Sequence, residues 1–331
     1  MDNKFGVKIL GTGSYVPEKI LTNFDLEKIV ETSDEWITTR TGIQQRRIID
    51  KTQTSSDLAY NASMRAIEDA KLSVNDIDLI IVATVTPDMP LPATACFLQE
   101  KLKAFNAVAF DISAACTGFI YGVATAKAFV ESGMYKTVLL VGVEALSRVT
   151  DWTDRNTCVL FGDGAGAMIF QASKEDNDIV SVYLGADGTH TGLLDLPAGG
   201  AKTPTTHETV DQKLHTIKMA GKDVFKVAVV KMAEAAGKAL ELANKTDKDI
   251  ALYVPHQANL RIIDAVVKKA GINKDKVYIN VQKYGNMSSA TTIVALDEAR
   301  QEGRIAKNDL VELVAFGGGL TWGACILKLG L

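Results

Sequence analysis

The stretch VAFDISAACTGFIYG, residues 108–122, passes from an apolar segment through a single cysteine into small and apolar residues that suit a helix. Cys116 therefore stands between a predicted buried strand and the first turn of a predicted helix. The field of that helix favours a thiolate and is expected to lower the pKa of the thiol. A buried cysteine that only fills space is the alternative, and Cys96, Cys158 and Cys325 are interpreted in that way.

Apolar runs of strand length recur along the chain. Most of them are apolar throughout, which predicts strands that helices cover on both faces. Helix-length segments rich in Ala, Lys and Glu lie between several of the runs. The sequence therefore predicts a layered α/β protein with mixed sheets. The runs are VKIL (7–10), LIIVAT (79–84), AVAFDI (107–112), TVLLVGV (137–143), LYVP (252–255), VYINV (277–281) and LVELVAF (310–316).

The order of these runs repeats at a separation of roughly half the chain. NDIDLIIVAT is echoed by KDIALYVPH, AVAFDISAAC by VYINVQKYGN, and TVLLVGV with its following glycine-rich strand by LVELVAF with GGGLTWGACIL. Three echoes in the same order predict two duplicated halves, residues 1–172 and 173–331. Because reactive groups of α/β proteins collect at strand ends, we expect Cys116 of the first half to meet His256, Asn286 and glycines 317–319 of the second.

Composition excludes several classes of protein. The 331 residues carry a net charge of −4 at pH 7, which gives no global attraction for nucleic acid or an anionic membrane. No apolar run is long enough to span a bilayer, and the N-terminus has no cleavable signal pattern. The four cysteines form no CxxC pair, so neither a disulfide framework nor a metal site is predicted. We expect a cytoplasmic protein.

Two neutral hydrogen-bond donors follow separate strands of the second half. His256 directly follows the apolar run LYVP, and Asn286 lies in a turn rich in glycine and serine before a predicted helix. A neutral imidazole and an amide that converge on one carbonyl oxygen would stabilise an enolate or an oxyanion. Taken singly, His256 is also typical of a structural hydrogen bonder, and Asn286 of a turn residue.

Glycines 317–319 end another predicted buried strand. Glycine permits a close approach of the backbone to a ligand, so peptide N–H groups here could complete an oxyanion hole, although a tight turn is the simpler interpretation. The segments FGDGAGA (161–167) and GTGSYV (11–16) lack the patterns of a phosphate loop and of a dinucleotide fingerprint. No nucleotide cofactor is therefore predicted.

Taken together, several blocks closely resemble those of the β-ketoacyl-acyl-carrier-protein synthase III family, the condensing enzymes that initiate bacterial fatty-acid synthesis. The resemblance runs from about residue 7 to the C-terminus. It implies a thiolase-like fold of five layers, α-β-α-β-α, and a homodimer. The blocks are SDEWITTRTGIQQRR (33–47), AACTGFIYG (114–122), DRNTCVLFGDGAGA (154–167), MAGKDVFKVAV (219–229), VPHQANLRII (254–263), YGNMSSAT (284–291) and AFGGGLTWG (315–323).

The resemblance implies a catalytic triad of Cys116, His256 and Asn286. An acyl group of acyl-coenzyme A, acetyl by default, would pass to Cys116, and malonyl-acyl-carrier-protein would then lose carbon dioxide. His256 and Asn286 would hold the resulting enolate, whose carbanion attacks the acyl-enzyme. The backbone N–H groups of Cys116 and Gly318 would form the oxyanion hole. Coenzyme A is a substrate here, and no cofactor or metal is implied.

The resemblance also implies how coenzyme A and the carrier protein bind. Trp36 and Arg155 match residues that sandwich the adenine, and Arg40 matches a contact to the nucleotide end. Three further positions, Gly221, Phe225 and Asn259, match the walls of the pantetheine channel. An exposed basic face would meet the acidic carrier protein, although a solvated helix surface explains the same charges. Its residues are Lys226, Arg261, Lys268 and Lys269.

The sequence departs from the family pattern at Leu91. Some members carry an aromatic residue there that closes the acyl pocket of the dimer partner and restricts it to acetyl. A leucine leaves the primer open between acetyl and a branched or longer acyl group, because one methylene changes apolar binding by only ~1–3 kcal/mol.

Three rival functions remain at this stage. A hydrolase built like a cysteine protease would need water near Cys116, which the apolar surroundings disfavour. Hydroxymethylglutaryl-coenzyme A synthase would need an acidic base near the cysteine, and Glu100 is at the wrong place for it. A non-catalytic acyl-carrier-binding protein would not require the triad.

Overall fold

The computed structural model of the chain describes residues 5–329. The strands in this range are β1 (Gly6–Tyr15), β2 (Ile20–Thr22), β3 (Gln45–Arg47), β4 (Leu79–Ala83), β5 (Val108–Ile112), β6 (Thr137–Ala145), β7 (Asp163–Ser173), β8 (Ile179–Ala186), β9 (Leu194–Asp195), β10 (Lys218–Met219), β11 (Ile250–Pro255), β12 (Asp309–Gly317) and β13 (Thr321–Leu329). The helices are α1 (Asn23–Leu26), α2 (Asp34–Thr41), α3 (Ser55–Asp69), α4 (Thr94–Leu102), α5 (Gly118–Glu131), α6 (Arg155–Cys158), α7 (His207–Asp211), α8 (Gly221–Ala243), α9 (Leu260–Ala270), α10 (Val281–Tyr284) and α11 (Ala290–Gln301). No helix in residues 5–329 is long and apolar enough to cross a bilayer.

Two mixed sheets form the centre of the molecule. The first has the strand order β1-β7-β6-β4-β5 and the second β8-β13-β12-β11. In the first sheet β4 runs parallel to β5 and β6, while β7 runs antiparallel to β6 and β1. In the second, β11 runs parallel to β12, and β13 runs antiparallel to β12 and β8. The two sheets therefore share one topology, which supports the predicted duplication.

The central strands of both sheets are buried on both faces, as the unbroken apolar runs predicted, whereas the edge strand β5 is exposed or half-buried. Every residue of β4 and β6 is buried. Because successive strand residues point to opposite faces, Ile80 and Val82 pack under α3 and α4, whereas Leu79 and Ile81 pack with α5 and α11 between the sheets. Helices α8 and α9 cover the outer face of the second sheet. The layers follow the order α-β-α-β-α.

One predicted strand is wrong. Residues 277–281 form only an isolated parallel bridge between Val277 and Tyr253, at the place that β5 occupies in the first sheet. The backbone N–H groups of Asn280 and Val281 donate to Gln257 Oε1 at 3.0 and 3.2 Å, so they are withdrawn from sheet pairing. The segment then turns into the short helix α10.

The predicted boundary between residues 172 and 173 falls at the end of β7, before β8 enters the second sheet. The outermost ends of the two predicted halves, residues 1–4 and 330–331, lie outside the described residues.

Strand ends of both sheets meet across the layer formed by α5 and α11. The segments that follow β5, β11 and β12 carry Cys116, His256 and Gly317–Gly319, which are thereby brought to one region.

Candidate active site

Cys116 lies in a single 3-10 turn, Ala115–Thr117, between β5 and α5. The preceding residue, Ala115, has a φ of 46°, a left-handed conformation that residues with a side chain seldom adopt. This turn places Cys116 two residues before Gly118, the first residue of α5. Such local strain is typical of functional positions, where the surrounding structure holds it in place.

The second half of the chain clamps the nucleophile turn. Thr117 Oγ1 and Thr321 Oγ1 are hydrogen-bonded at 2.6 Å and lie 2.5 and 3.1 Å from the carbonyl oxygen of Ala114, so their two hydroxyl protons link the three oxygens. A Cβ atom on Gly317 would lie 2.7 Å from the backbone nitrogen of Cys116, closer than two such atoms can approach. Only glycine therefore allows the end of β12 to pack against the cysteine turn.

His256 follows β11 and is fixed at both its backbone and its ring. Its N–H donates to the carbonyl of Val314 at 2.7 Å, and its Nδ1 lies 2.5 Å from Thr291 Oγ1. Thr291 Oγ1 also lies 2.9 Å from the carbonyl of Ser288. Because the side chain is only 3% exposed, burial lowers the pKa of His256 to about 3. The imidazole is therefore neutral at physiological pH.

Asn286 lies in the turn between α10 and α11. Its backbone N–H donates to the carbonyl of Leu160 at 2.8 Å, and its Oδ1 accepts the N–H of Ser288 at 2.8 Å. This second contact fixes the orientation of the amide, because the oxygen faces a donor. The Nδ2 group is then left to donate into the cavity that the side chain lines.

One cavity of about 780 Å³ contains all three side chains. Cys116, His256 and Asn286 are 8%, 3% and 7% exposed, whereas Arg40 and Lys222 on the same cavity wall lie at the surface. The cavity is therefore a tunnel from an exposed basic mouth to a buried floor. Its other lining residues include Val159, Leu160, Phe161, Leu194, Met219, Val224, Met232, Ala258, Ile262 and Phe316.

Trp36 lines this tunnel, with arginines against its ring. The guanidinium carbon of Arg40 is 4.9 Å from the ring centroid, and that of Arg155 is 5.0 Å away. These distances are those of cation–π contacts. The Arg155 guanidinium lies directly against the Trp36 ring. An aromatic ring that entered between these two side chains would have to displace the Arg155 guanidinium.

The remaining predicted binding residues divide into those in the tunnel and those outside it. Gly221, Phe225, Lys226, Asn259 and Arg261 line the tunnel. Asn259 also caps α9, because its Oδ1 accepts the N–H of Arg261 at 2.8 Å.

Four predicted binding residues, Arg155, Leu91, Lys268 and Lys269, do not line this tunnel, although Arg155 contacts the ring of Trp36, which does. Gly318 of the predicted oxyanion hole does not line it either. Lys268 and Lys269 are exposed in the last turn of α9, about 10 Å along the helix from Arg261. Leu91 is 83% exposed.

Two statements about cysteines are corrected by the structure. The predicted decrease of the Cys116 pKa is wrong, because burial raises the pKa of the thiol to about 12. The loss of hydration therefore dominates over the helix N-terminus. Cys158 and Cys325 are buried in the core as predicted, but Cys96 is exposed.

Sequence reasoning missed the polar groups that surround the triad. Glu144 is the one charged residue within the buried strand β6 and would have been found by asking why an apolar run contains a carboxylate. Thr291 and Ser288 carry no comparable signal, since serine and threonine are common near a helix start. Glu100, dismissed as a base, is exposed and pairs with Lys103.

Comparisons with known proteins identify the family. A profile described as "3-Oxoacyl-[acyl-carrier-protein (ACP)] synthase III" matches residues 110–188, and one of its C-terminal part matches residues 240–329. The chain is 57% identical over 328 residues to the β-ketoacyl-[acyl-carrier-protein] synthase III of Caldanaerobacter subterraneus subsp. tengcongensis, covering 99% of each chain. The enzyme of the same name from Clostridioides difficile is 56% identical with the same coverage. The chain belongs to the β-ketoacyl-acyl-carrier-protein synthase III family.

The fold agrees with this family. The crystal structure of 3-oxoacyl-[acyl-carrier-protein] synthase III from Aquifex aeolicus VF5 matches with a TM-score of 0.90 and 48% identity, covering 98% of this chain and 100% of that one. The predicted thiolase-like fold and family are thereby confirmed. As a β-ketoacyl-acyl-carrier-protein synthase III, the chain is an acyltransferase that starts fatty-acid synthesis by condensing acyl-coenzyme A with malonyl-acyl-carrier-protein.

Proposed function

We propose that Cys116 accepts the acyl group and that His256 and Asn286 hold the malonyl thioester for decarboxylation. The single observation that carries this assignment is the tunnel, whose buried floor combines one thiol with two neutral hydrogen-bond donors. In the first half-reaction the sulfur of Cys116 attacks the acyl thioester, and coenzyme A leaves. In the second, loss of carbon dioxide gives an enolate whose carbanion attacks the acyl-enzyme and releases 3-oxoacyl-acyl-carrier-protein.

The neutrality of His256 favours this second step. A neutral donor stabilises the enolate oxygen without transferring a proton to it, so the carbanion stays reactive. The pKa of about 3 keeps the ring uncharged at all pH values well above 3. The amide of Asn286 supplies a second neutral donor, since its oxygen is already engaged by Ser288. Preorganised donors of this kind are among the largest contributions to catalysis.

We assign the oxyanion hole of the tetrahedral intermediate to the N–H groups of Cys116 and Gly318. The packing of Gly317 against the cysteine turn supports the closeness of these two backbone segments. Within residues 5–329 the N–H of Gly318 donates to no carbonyl or side chain, so it is available to a ligand. The N–H of Cys116 also precedes the N-terminus of α5, where a developing negative charge is favoured.

The tautomer of His256 depends on Thr291. The single hydroxyl proton of Thr291 can go either to the Ser288 carbonyl or to His256 Nδ1. Only the second choice leaves a proton on Nε2 to donate to the enolate. We expect Thr291→Val to lower malonyl-acyl-carrier-protein decarboxylation about tenfold, the effect of one lost hydrogen bond. Thr291→Ser, which keeps the hydroxyl, should retain the rate; equal rates for both variants would contradict this role.

Trp36 is proposed to stack on the adenine of coenzyme A, together with Arg155, with Arg40 at the nucleotide end. The existing contacts of both guanidiniums with the indole ring support a stacking site. We expect Trp36→Ala to raise the KM for acetyl-coenzyme A about tenfold, with kcat unchanged. The control substrate is acetyl-pantetheine, which lacks the nucleotide and should show the same KM with both proteins. An equal rise for both thioesters would argue against adenine stacking.

The acidic carrier protein is proposed to dock at the tunnel mouth. Lys226 and Arg261 are exposed there, beside Lys222, and give the entrance a positive charge. Lys268 and Lys269 extend this basic surface along α9. Gly221, Phe225 and Asn259 are proposed to guide the pantetheine arm toward Cys116.

A homodimer is proposed along the edge strand β5. Val108 on this strand and Phe105 before it are 48% and 68% exposed, and Leu91 is 83% exposed. Exposed apolar side chains beside an open strand edge favour pairing with a second copy. Leu91 would then reach the acyl pocket of the partner, where acetyl is the default primer.

The four free cysteines favour a reducing, cytoplasmic compartment.

The function is tested by mixing the protein with an acyl-coenzyme A and malonyl-acyl-carrier-protein. We expect one carbon dioxide and one 3-oxoacyl-acyl-carrier-protein for each coenzyme A released. A panel of acetyl, branched and longer acyl-coenzyme A primers then defines the acyl pocket that Leu91 is proposed to reach in the dimer. Coenzyme A release without a 3-oxoacyl product would indicate a thioesterase and would overturn the proposal.

A further inference from the structure

A buried arginine that the mechanism above does not use lies behind the tunnel wall. Arg46, in the short strand β3, is the largest fully buried side chain of the described residues. Its Nη1 donates to Asn23 Oδ1 at 2.9 Å and to the carbonyl of Leu21 at 3.2 Å, and its Nη2 donates to the carbonyl of Val159 at 2.8 Å. Within residues 5–329 the guanidinium therefore contacts only neutral oxygens. A buried charge without a direct counter-ion is costly and calls for an explanation.

The two nitrogens of the guanidinium hold two different parts of the molecule. Nη2 holds Val159, which begins the wall segment, residues 159–161, and all three residues of this segment line the tunnel. Nη1 holds Asn23, whose Nδ2 donates to Asp34 Oδ1 at 2.8 Å. Asp34 is the first residue of α2, the helix that carries the proposed adenine stack. One cation thus connects the tunnel wall with the helix at the tunnel mouth.

The wall segment in turn fixes the backbone of Asn286. The N–H of Asn286 donates to the carbonyl of Leu160 at 2.8 Å, and the carbonyl of Asn286 accepts the N–H of Gly162 at 3.0 Å. Between these two contacts, Phe161 and Asn286 form an isolated parallel bridge. Both backbone groups of Asn286 are therefore engaged by this stretch of chain. A shift of the wall segment would be passed directly to Asn286.

The stem of Arg46 packs against the same turn. A Cβ atom on Gly285 would lie 3.3 Å from Arg46 Cβ and 2.7 Å from the carbonyl oxygen of Leu160. A Cβ atom on Gly162 would lie 3.1 Å from Arg46 Cβ. Gly285 directly precedes Asn286 and has a φ of 67°, which favours glycine. Because the arginine stem lies against both glycines, its place and that of the Asn286 turn are set together.

We infer that Arg46 is a positioning residue that aims the Asn286 amide at the malonyl thioester. The inference deepens the proposed function and rests on the role of Asn286 as an enolate donor. Arg46 holds the wall segment, the wall segment holds the Asn286 backbone, and the Oδ1 contact with Ser288 leaves Nδ2 to the substrate. A misplacement of about 1 Å at a reacting centre can cost about 100-fold in rate.

A forked cation suits this task better than a point charge. The planar guanidinium donates in two directions at once, whereas the single ammonium of a lysine cannot reproduce this fork. Arg46→Lys therefore keeps the positive charge but cannot hold Asn23 and Val159 together. A role of the charge alone would survive this substitution, and a positioning role would not.

The test measures the two half-reactions separately in Arg46→Lys. We expect kcat for malonyl-acyl-carrier-protein decarboxylation to fall about 10- to 100-fold, with KM within a few-fold, because the amide donor is misaligned. Single-turnover transfer of acetyl to Cys116, at saturating acetyl-coenzyme A, should stay within a few-fold of the unmodified protein. Arg46→Lys added to Asn286→Asp should cause no further loss of decarboxylation, because the arginine acts through that amide.

The next residue of β3 provides a matched control. The guanidinium of Arg47 also donates to carbonyls, those of Pro17 at 3.3 Å and Glu18 at 3.4 Å, and neither of these residues lines the tunnel. Arg47→Lys should decarboxylate and acetylate at the normal rates. If Arg46→Lys does not fold, Asn23→Ser takes its place, since the shorter side chain withdraws an acceptor from Nη1 and leaves Arg46 present. A selective loss of decarboxylation is expected there too, and normal decarboxylation would decide against the inference.

Three outcomes would overturn the positioning role. Normal decarboxylation by Arg46→Lys would leave the arginine with a role of charge alone. An equal loss of both half-reactions would make it a general structural residue. An additive loss in the Asn286→Asp background would show that it acts elsewhere. Each of these leaves the roles of Cys116 and Asn286 intact, whereas unchanged decarboxylation by Asn286→Asp alone would refute the proposed function itself.

Discussion

Replacing Cys116 by alanine is expected to lower condensation by at least ~10⁴-fold, because no other thiol lines the described tunnel wall to carry the acyl group as a thioester. The measurement is formation of 3-oxoacyl-acyl-carrier-protein from acetyl-coenzyme A and malonyl-acyl-carrier-protein. Decarboxylation of malonyl-acyl-carrier-protein alone should persist, since His256 and Asn286 remain in place.

A matched variant separates this loss from a general effect of losing a buried thiol. Cys325 is as buried as Cys116 but packs in the core between the sheets, and it does not line the tunnel. Cys325→Ala should condense at the normal rate even if it unfolds at a lower temperature. Comparable condensation by Cys116→Ala and Cys325→Ala would remove Cys116 from the mechanism.

The second large effect is expected for Asn286→Asp. The aspartate keeps an oxygen that accepts the N–H of Ser288, so the turn should retain its conformation. Its other oxygen replaces the Nδ2 donor, which places a negative charge or a bare acceptor where the enolate oxygen forms. We expect decarboxylation to fall about 10³-fold, the upper range for one lost oxyanion donor.

The acetylation half-reaction serves as the internal control for this variant. Acetyl transfer to Cys116 involves the oxyanion hole and not Asn286, so Asn286→Asp should acetylate within a few-fold of the unmodified protein. A loss that falls on acetylation and spares decarboxylation would contradict the division of roles between Cys116 and Asn286.

The sequence predicted those elements that a pattern of neighbouring residues is enough to identify. Unbroken apolar runs identified β4 and β6, because a strand covered on both faces needs apolar residues at every position. Cys116 was recognised by its place between a strand and a helix. The repeated order of elements indicated two sheets of one topology, and the ends of β5 and β11 with the turn after α10 bring Cys116, His256 and Asn286 to one cavity.

What could not be predicted depends on tertiary contacts. The run at 277–281 has strand-like residues, but the side chain of Gln257 takes its backbone N–H groups. The direction of the Cys116 pKa shift follows from how completely the tunnel floor excludes water, which no local pattern reveals. The contact of Thr291 with His256 likewise joins the start of α11 to the end of β11, 35 residues apart.

The central claim is that one thiol and two neutral donors on a shared buried floor perform both half-reactions, and a pulse and chase tests it most directly. The protein is treated with radiolabelled acetyl-coenzyme A, digested and analysed for the labelled peptide, and a parallel sample is chased with malonyl-acyl-carrier-protein. We predict label on the peptide that contains Cys116, and its complete transfer to 3-oxoacyl-acyl-carrier-protein during the chase. Label on another residue, or label on Cys116 that the chase releases only as free acetate, would contradict the account.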